Sequence, residues 1–526
     1  MRKLHFFTLS LFLFFTLLSA HAQKDFDMIT ERSPWTLSGN AAALSTFADS
    51  TMSRAAVTYD YTAGGHRTMN QGKTEHKGDA MVESYMHLSP QVMAYGKARY
   101  TTKTGSEMTG SAFSGIGGGC MPFDIIDTTA NAGRKNLELF NIVGAVSYAP
   151  GGGFSLGAKA DFSAGSYAKH KDLRHKNTIT ALDTRLSVAY SLVTRHSSLV
   201  TRHSSLVTCT LGASFIYKRY VEGVQFKTYG TADQIYTSLI EYANMQGTAE
   251  SSDGNGFTDS SYENPLLNEY VGFNVGGSLP VGKLGDVFAE LEYLHRTGYY
   301  GKQGQYSVSY ANHKGDQYNW HIRYTLPSWG EGTLSFLDFR MNSERLRTYR
   351  TNYRQSRSET DNSLTYYEYF TPTKIADKAI NQGMIGYTMY WGNHQTLKHS
   401  IPQTLYTWCL KVGTGFYFDK ETAYNATMMT VDYHIWSPYI TVTRNIMFRD
   451  TSYLGLTLGA NGQASNLDDE LMERYAHQNL RSWMGGTVKA MYEFRLKSVK
   501  GVRPNVSLLY AWQDRSNVQL TIGAMF

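Results

Sequence analysis

The chain closes on Val518-Gln519-Leu520-Thr521-Ile522-Gly523-Ala524-Met525-Phe526. In an extended strand Val518, Leu520, Ile522, Ala524 and Phe526 fall on one face, and Gln519, Thr521, Gly523 and Met525 on the other. One face is apolar; the other is small or polar. A bilayer offers no water to backbone N–H and C=O groups, so a spanning sheet must close on itself, one face to lipid and the other to the lumen. The stretch therefore predicts the last strand of a closed transmembrane barrel, paired with the first.

The same period of two recurs through the chain. Val92, Ala94, Gly96, Ala98 and Tyr100 alternate with Met93, Tyr95, Lys97, Arg99 and Thr101. Phe154, Leu156, Ala158, Ala160 and Phe162 alternate with Ser155, Gly157, Lys159, Asp161 and Ser163, while Val287, Ala289, Leu291 and Tyr293 oppose Glu290 and Glu292. Met484, Gly486, Val488, Ala490, Tyr492 and Phe494 oppose Lys489, Glu493 and Arg495. A soluble sandwich shows the same alternation, but these runs reach the roughly nine to eleven residues of a tilted spanning strand, against about five or six for ordinary strands.

Connections alternate between short ones, such as Leu88-Ser89-Pro90 and Pro150-Gly151-Gly152-Gly153, and long ones over 105–135, 222–268 and 346–379. That parity suits periplasmic turns and extracellular loops. Strands are expected to begin near Ser53, Gly78, Gln91, Asn136, Gly153, Thr178, Ser205, Glu269, Gly285, Tyr318, Gly332, Ile380, Thr404, Ala426, Tyr453, Ser482, Asn505 and Val518. The fold class is all-β: a closed antiparallel transmembrane β-barrel of about 18 strands, in a range of about 14–18. Pro438 argues against that count, because proline belongs at edges, strand starts or bulges.

Arg2 and Lys3, the apolar run to Leu18 and the small-x-small site Ala20-His21-Ala22 read as a signal peptide, residues 1–22. Residues 23–52 read as an N-terminal periplasmic segment or a small plug, and 53–526 as the outer-membrane barrel. The formal charge of +6 falls to +4 once Arg2 and Lys3 are removed, too mild a balance to argue for nucleic acid. The 38 Tyr, 25 Phe and 48 Gly suit strands, tight turns and aromatic girdles. Three widely spaced cysteines, Cys120, Cys209 and Cys409, imply neither a disulfide framework nor a metal knuckle. Ser191–Ser197 is repeated at Ser198–Ser204, which reads as tandem duplication within a periplasmic turn, so His196 and His203 are copies and not a site.

Lumen-facing candidates are Lys97, Arg99, Lys159, Asp161, Asp183, Arg185, Glu290, Glu292, Lys489, Glu493 and Arg495. Inside a barrel such charges line water and select solutes, or neutralise one another across a filled lumen. Arg345, Arg347, Arg350, Arg354 and Arg357 open a long loop and suit phosphates, those of lipopolysaccharide or of an anionic ligand. Neither a cofactor nor a metal site is expected. Asp432-Tyr433-His434 has the spacing of one half of an omptin-type protease site, but no opposing Asp-x-Asp lies in the barrel, so no enzyme is expected.

On the signal peptide, the dyad strands, the Tyr and Gly richness and the terminal Thr521–Phe526, the chain resembles an uncharacterised family of Bacteroides-type outer-membrane β-barrel proteins. Phe526 resembles the terminal aromatic signal by which the outer-membrane barrel assembly machinery recognises its clients, which makes it the candidate assembly signal. Asn40-Ala41-Ala42-Ala43-Leu44 loosely resembles the hatch-region Asn-Pro-Ala-x-Leu of barrels similar to the long-chain fatty-acid transporter, with Ala41 in place of proline. TonB-dependent receptors carry a large plug domain that residues 23–52 are too few to supply. The resemblance implies an integral outer-membrane protein of a Gram-negative bacterium, acting as a porin-like passive pore or transporter for a small solute. A non-conducting surface-binding or assembly component, holding a small molecule or partner protein, is the alternative, with an enzyme third.

Overall fold

The computed structural model describes residues 26, 30–31, 33–47, 51–64, 70–116, 119–127, 132–196, 205–229, 234–243, 245–252, 258, 263–301, 309–328, 333–357, 365–392, 406–424, 428–448, 452–466, 482–494, 502–513 and 515–525. The signal peptide, Arg495, Phe526 and most of the duplicated repeat lie outside them. The chain order begins β1 (Met52–Ala63), β2 (Thr74–Ser89), β3 (Val92–Met108), β4 (Gly110–Ser111), β5 (Asp124–Asp127), β6 (Gly133–Gly151), β7 (Phe154–Lys169), β8 (Arg174–His196), β9 (Ser205–Lys227), β10 (Tyr236–Ala243) and β11 (Gln246–Ser252). It continues with β12 (Asn264–Pro280), β13 (Asp286–Tyr300), β14 (Ala311–Leu326), β15 (Leu334–Arg357), β16 (Thr365–Trp391), β17 (Trp408–Tyr424), β18 (Met428–Phe448), β19 (Ser452–Ser465), β20 (Trp483–Phe494), β21 (Arg503–Trp512) and β22 (Ser516–Met525).

Eighteen of these strands form one antiparallel sheet, and β4, β5, β10 and β11 form a second of four. The large sheet closes where β1 meets β22, from Arg54 opposite Met525 to Ala63 opposite Ser516. Val518, Leu520 and Ile522 are exposed on the outer face. Their neighbours point inward: Gln519 Nε2 donates to Asp60 at 2.6 Å, and the Thr521 and Thr58 hydroxyls meet at 3.0 Å. Exposed Phe162, Val275, Trp320, Trp436, Leu458 and Trp512 continue the outer apolar surface around the barrel, as a lipid-facing wall requires.

Local chemistry sets the turns. Gly151, Gly152 and Gly153 all have positive φ, and a Cβ on Gly153 would stand 2.2 Å from the Ser191 carbonyl oxygen, so this β6–β7 turn demands glycine. Pro438 pairs with Thr414 of β17, but pairing with β19 lapses between Trp436–Ala464 and Tyr439–Asn461 and resumes in the same register. The proline, which has no N–H, sits in that gap.

Two expectations are corrected. β14 begins at Ala311 and β16 at Thr365, well before the expected Tyr318 and Ile380, and much of the loop expected over 346–379 is strand. Polar, aromatic and β-branched residues there continue the β15–β16 ladder above the apolar zone, with register shifts at Thr348/Tyr349 and Arg350/Asn352. The loops over 105–135 and 222–268 supply the second sheet instead of running free over the surface.

Candidate functional site

The lumen is occupied from two ends. At the end where the β6–β7 turn lies, the N-terminal residues cross it. Asn40 is buried and starts a 3-10 turn over Ala41–Thr46: its Oδ1 accepts from the Ala42 and Ala43 N–H groups, while its Nδ2 donates to the Val188 and Ala213 carbonyls at 3.0 and 3.2 Å. One amide thus serves as helix cap and wall anchor. Ser147 donates to the Ala42 carbonyl at 2.8 Å, and Ser187 accepts from the Ala41 N–H at 3.1 Å. Trp35 packs edge-on against Phe288 at 5.0 Å and donates to Ser278 at 3.1 Å. Glu31 pairs with Lys411 at 2.8 Å, and Phe47 stacks on Tyr85 at 5.1 Å. Sequence alone left this segment as a tail or a plug; its contacts reach β2, β6, β8, β9, β12, β13 and β17.

At the opposite end the small sheet turns inward. Phe113, Phe123, Ile125, Ile240 and Tyr242 bury against Val224, Leu266, Tyr300, Ala311 and Ala376 of the wall; each large side chain removed from water contributes roughly 1.5–3 kcal/mol. Polar locks reinforce this packing. Arg296 and Glu344 pair at 2.5 Å. Arg296 also donates to the Cys120 carbonyl and Glu344 accepts the Cys120 N–H, both at 2.8 Å. Glu222 accepts from the Ser114 N–H at 2.8 Å and from Asn177 at 2.5 Å, and Lys135 donates to the Thr109 and Ser111 carbonyls at 2.9 and 2.7 Å.

Between these closures lies a cavity of about 670 Å³, touched by Leu37, Ser38 and Gly39 and lined by Lys159, Arg185, Glu290, Glu292 and Arg340 with the amides of Asn274, Asn319, Asn342 and Gln382. Along β13 the order Glu290, Glu292, Arg296 runs from N-terminal segment to cavity wall to loop lock. Glu290 accepts from Ser38 Oγ at 2.5 Å and the Gly39 N–H at 3.2 Å. Glu292 pairs with Arg185 at 2.6 Å and Lys218 at 2.9 Å, and Arg185 pairs again with Asp183 at 3.0 Å.

Of the expected lumen residues, Lys159, Asp183, Arg185, Glu290 and Glu292 therefore gather around one cavity. Asp161 lies beside them, accepting from Asn141 at 2.6 Å. Arg99 pairs with Asp79 at 2.5 Å and Glu493 with Arg503 at 2.9 Å, both on another arc of wall with Lys97 and Lys489. The loop arginines do not converge on this cavity: Arg345 and Arg347 are exposed on the outer face of β15, and Arg350, Arg354 and Arg357 continue along its exposed end. Asp432 and His434 are also outward, with Tyr433 between them turned inward to Asp419 at 3.0 Å. Among the described residues no cluster of His, Cys, Asp or Glu could hold a metal ion.

The sequence reading missed the locks at Lys135, Asn177, Glu222, Arg296 and Glu344. Their signal was the inward parity of each strand, which continues past the apolar stretch at which that reading stopped.

Solved structures with a similar course include BauA, the ferric preacinetobactin receptor from Acinetobacter baumannii, at 9% identity and TM-score 0.42, covering 91% of this chain and 80% of that one. The outer membrane transporter YddB from Escherichia coli gives 8% and 0.39, with 90% and 81% covered. A FadL homologue from Pseudomonas aeruginosa gives 9% and 0.30, with 93% and 92% covered. No curated protein matches the sequence. Residues 41–526, which include the Asn40-capped turn and the whole barrel, match the profile of a Family of unknown function (DUF6850), and the chain belongs to that family.

Proposed function

We propose that this chain is an integral outer-membrane barrel of a Gram-negative bacterium that passes a small polar solute by passive transport, gated from below by residues 33–47 and from above by the β4–β5–β10–β11 sheet. The carrying observation is the cavity of about 670 Å³ between those two closures, in which the amides and paired charges face an apolar arc of Met341, Met384 and Phe416. Its amides and paired charges suit a hydrated solute better than an apolar one. The outward arginines, above the exposed Tyr318, Trp320 and Ile322, would contact lipopolysaccharide phosphates. Folding in the cell would require the barrel assembly machinery, addressed through Phe526.

The test is single-channel conductance of the mature protein in a planar bilayer, with and without residues 23–52. The expected result is low or intermittent current from the intact protein and a large, steady current from the truncated one. Silence from both forms would reject transport. The apolar cluster beneath the loop sheet would then favour the second reading, a closed scaffold that presents its loops to a ligand or partner protein.

A further inference from the structure

The two closures are fastened unevenly around the barrel. Their polar anchors fall chiefly on β6 through β17, at Ser147, Asn177, Glu222, Arg296, Glu344 and Lys411. Opposite lies the arc from β18 through β22 to β1, β2 and β3. Its inward residues are small and polar at mid-height: Thr443 and Thr457 share a hydrogen bond at 2.8 Å, and Thr521 meets Thr58. Among the described residues, Phe26, Leu44 and Phe47 pack on its foot, at Met52, Tyr85, Met93, Tyr95 and Met525.

Charge on this arc is unequal. Asp79 is held by Arg99, Glu83 by Arg54, Glu493 by Arg503, and Glu75 by both Lys103 and Arg515. Asp60 lies across from Lys77 and accepts from Gln519. Lys97 and Lys489, both half-buried on the inner face, form no ion pair among the described residues. A water-filled passage bounded by low-dielectric walls focuses such uncompensated charge on whatever passes.

From this arrangement we propose that the transported solute is an anion and that it travels off the barrel axis, along the β18–β3 arc, past Lys97 and Lys489. The proposal rests on the transport reading above and gives it a solute class. The central cavity, which reaches Ser437 of β18, is balanced in charge, Arg185 and Lys218 answering Asp183 and Glu292, and so leaves the selection to the lysines of that arc.

The experiment is the reversal potential of the mature protein in a KCl gradient. Chloride over potassium by at least about threefold is expected, falling to near unity in the Lys97→Gln, Lys489→Gln double variant. Cation-selective current from the unmodified protein overturns this proposal and leaves the transport reading standing; silence, even without residues 23–52, removes both. A second measurement does not depend on those two substitutions. Thr457→Cys, across from Lys489, should in proteoliposomes react several times faster with an anionic than with a cationic methanethiosulfonate, over the background of the native cysteines, while lipid-facing Leu458→Cys should not distinguish them. Equal rates at position 457, or a faster cationic reagent, would overturn the proposal.

Discussion

Arg296 and Glu344 meet at 2.5 Å with 1% of each side chain exposed, and together they hold both backbone polar groups of Cys120. A loop carbonyl and N–H are thus tied to β13 and β15 by one ion pair. Removing one member of such a pair leaves a buried charge unanswered, at a cost of about 3–5 kcal/mol. In Glu344→Gln that cost should appear as local release of the loop, since the barrel ladder itself is untouched. Cys120, buried in the native protein, should then label with a neutral maleimide roughly a hundredfold faster, the weight of about 3 kcal/mol. The barrel should still migrate as folded in unheated gels; unchanged thiol protection would count against the latch.

Gly157 gives a sharper test of the lower closure. A Cβ there would lie 2.3 Å from the Ala42 nitrogen and 2.5 Å from the Ala41 carbonyl carbon. Both obstacles are backbone, so no side-chain rotation relieves the clash. Gly157→Ala should displace the Asn40-capped turn and raise conductance toward that of the form lacking residues 23–52. Asn40→Ala should act in the same direction more weakly, by about 1–2 kcal/mol for the lost cap. Indistinguishable currents in all four proteins would mean that this turn does not gate the lumen.

The loop sheet carries a pH dependence. Burial, and then the nearby Glu241 carboxylate, push Asp124 up to about 7, against hydrogen bonds from Ser111 and the Ile125 N–H that favour its ionised form. When the loop opens, the group returns toward 3.8. A carboxyl whose closed-state value is raised holds its proton more tightly in the closed form, so its contribution is full below that lower value and is lost as pH rises through about 7. Loop closure should therefore weaken as pH rises from about 4 to about 7 and change little above that. Proteolysis within 109–127 should rise accordingly, and Asp124→Asn should remove the dependence. A flat profile in the parent protein would contradict the assignment.

The barrel was legible because lipid imposes one rule on every spanning strand: Val518, Leu520 and Ile522 could face only outward once Gln519 and Thr521 faced in. Strand starts near Gln91, Gly153, Ser205, Gly285 and Tyr453 agree with the structure to within a residue. The rule fades above the membrane, where either face of a strand meets water, which is why the β15–β16 extension read as loop. It is silent within the lumen too. Nothing in the order Glu290-Leu291-Glu292 distinguishes a carboxylate that grips Gly39 from one paired with Arg185, because their partners arrive from distant strands. Pro438 misled for the converse reason, as a proline is tolerated wherever one ladder lapses.

Outside the barrel, Arg345 and Arg347 stand on β15 beside Lys314, the cross-strand partner of Arg347. The nearby carboxylates are already engaged. Asp316 accepts from Tyr293 at 2.8 Å and from His295 at 2.9 Å, and Asp377 is held by Lys374 and Tyr424, with Arg347 no closer than 3.9 Å. Two guanidinium forks are therefore left facing the lipid boundary, directly above the exposed Tyr318 and Trp320. Guanidinium forks match phosphate oxygens in pairs, and lysine does not reproduce that geometry. Arg345→Ser with Arg347→Ser should lower the lipopolysaccharide that copurifies with the barrel severalfold, the Lys,Lys variant should recover only part of it, and conductance should not change. Full retention of lipopolysaccharide in the Ser,Ser variant would move the contact elsewhere on the wall.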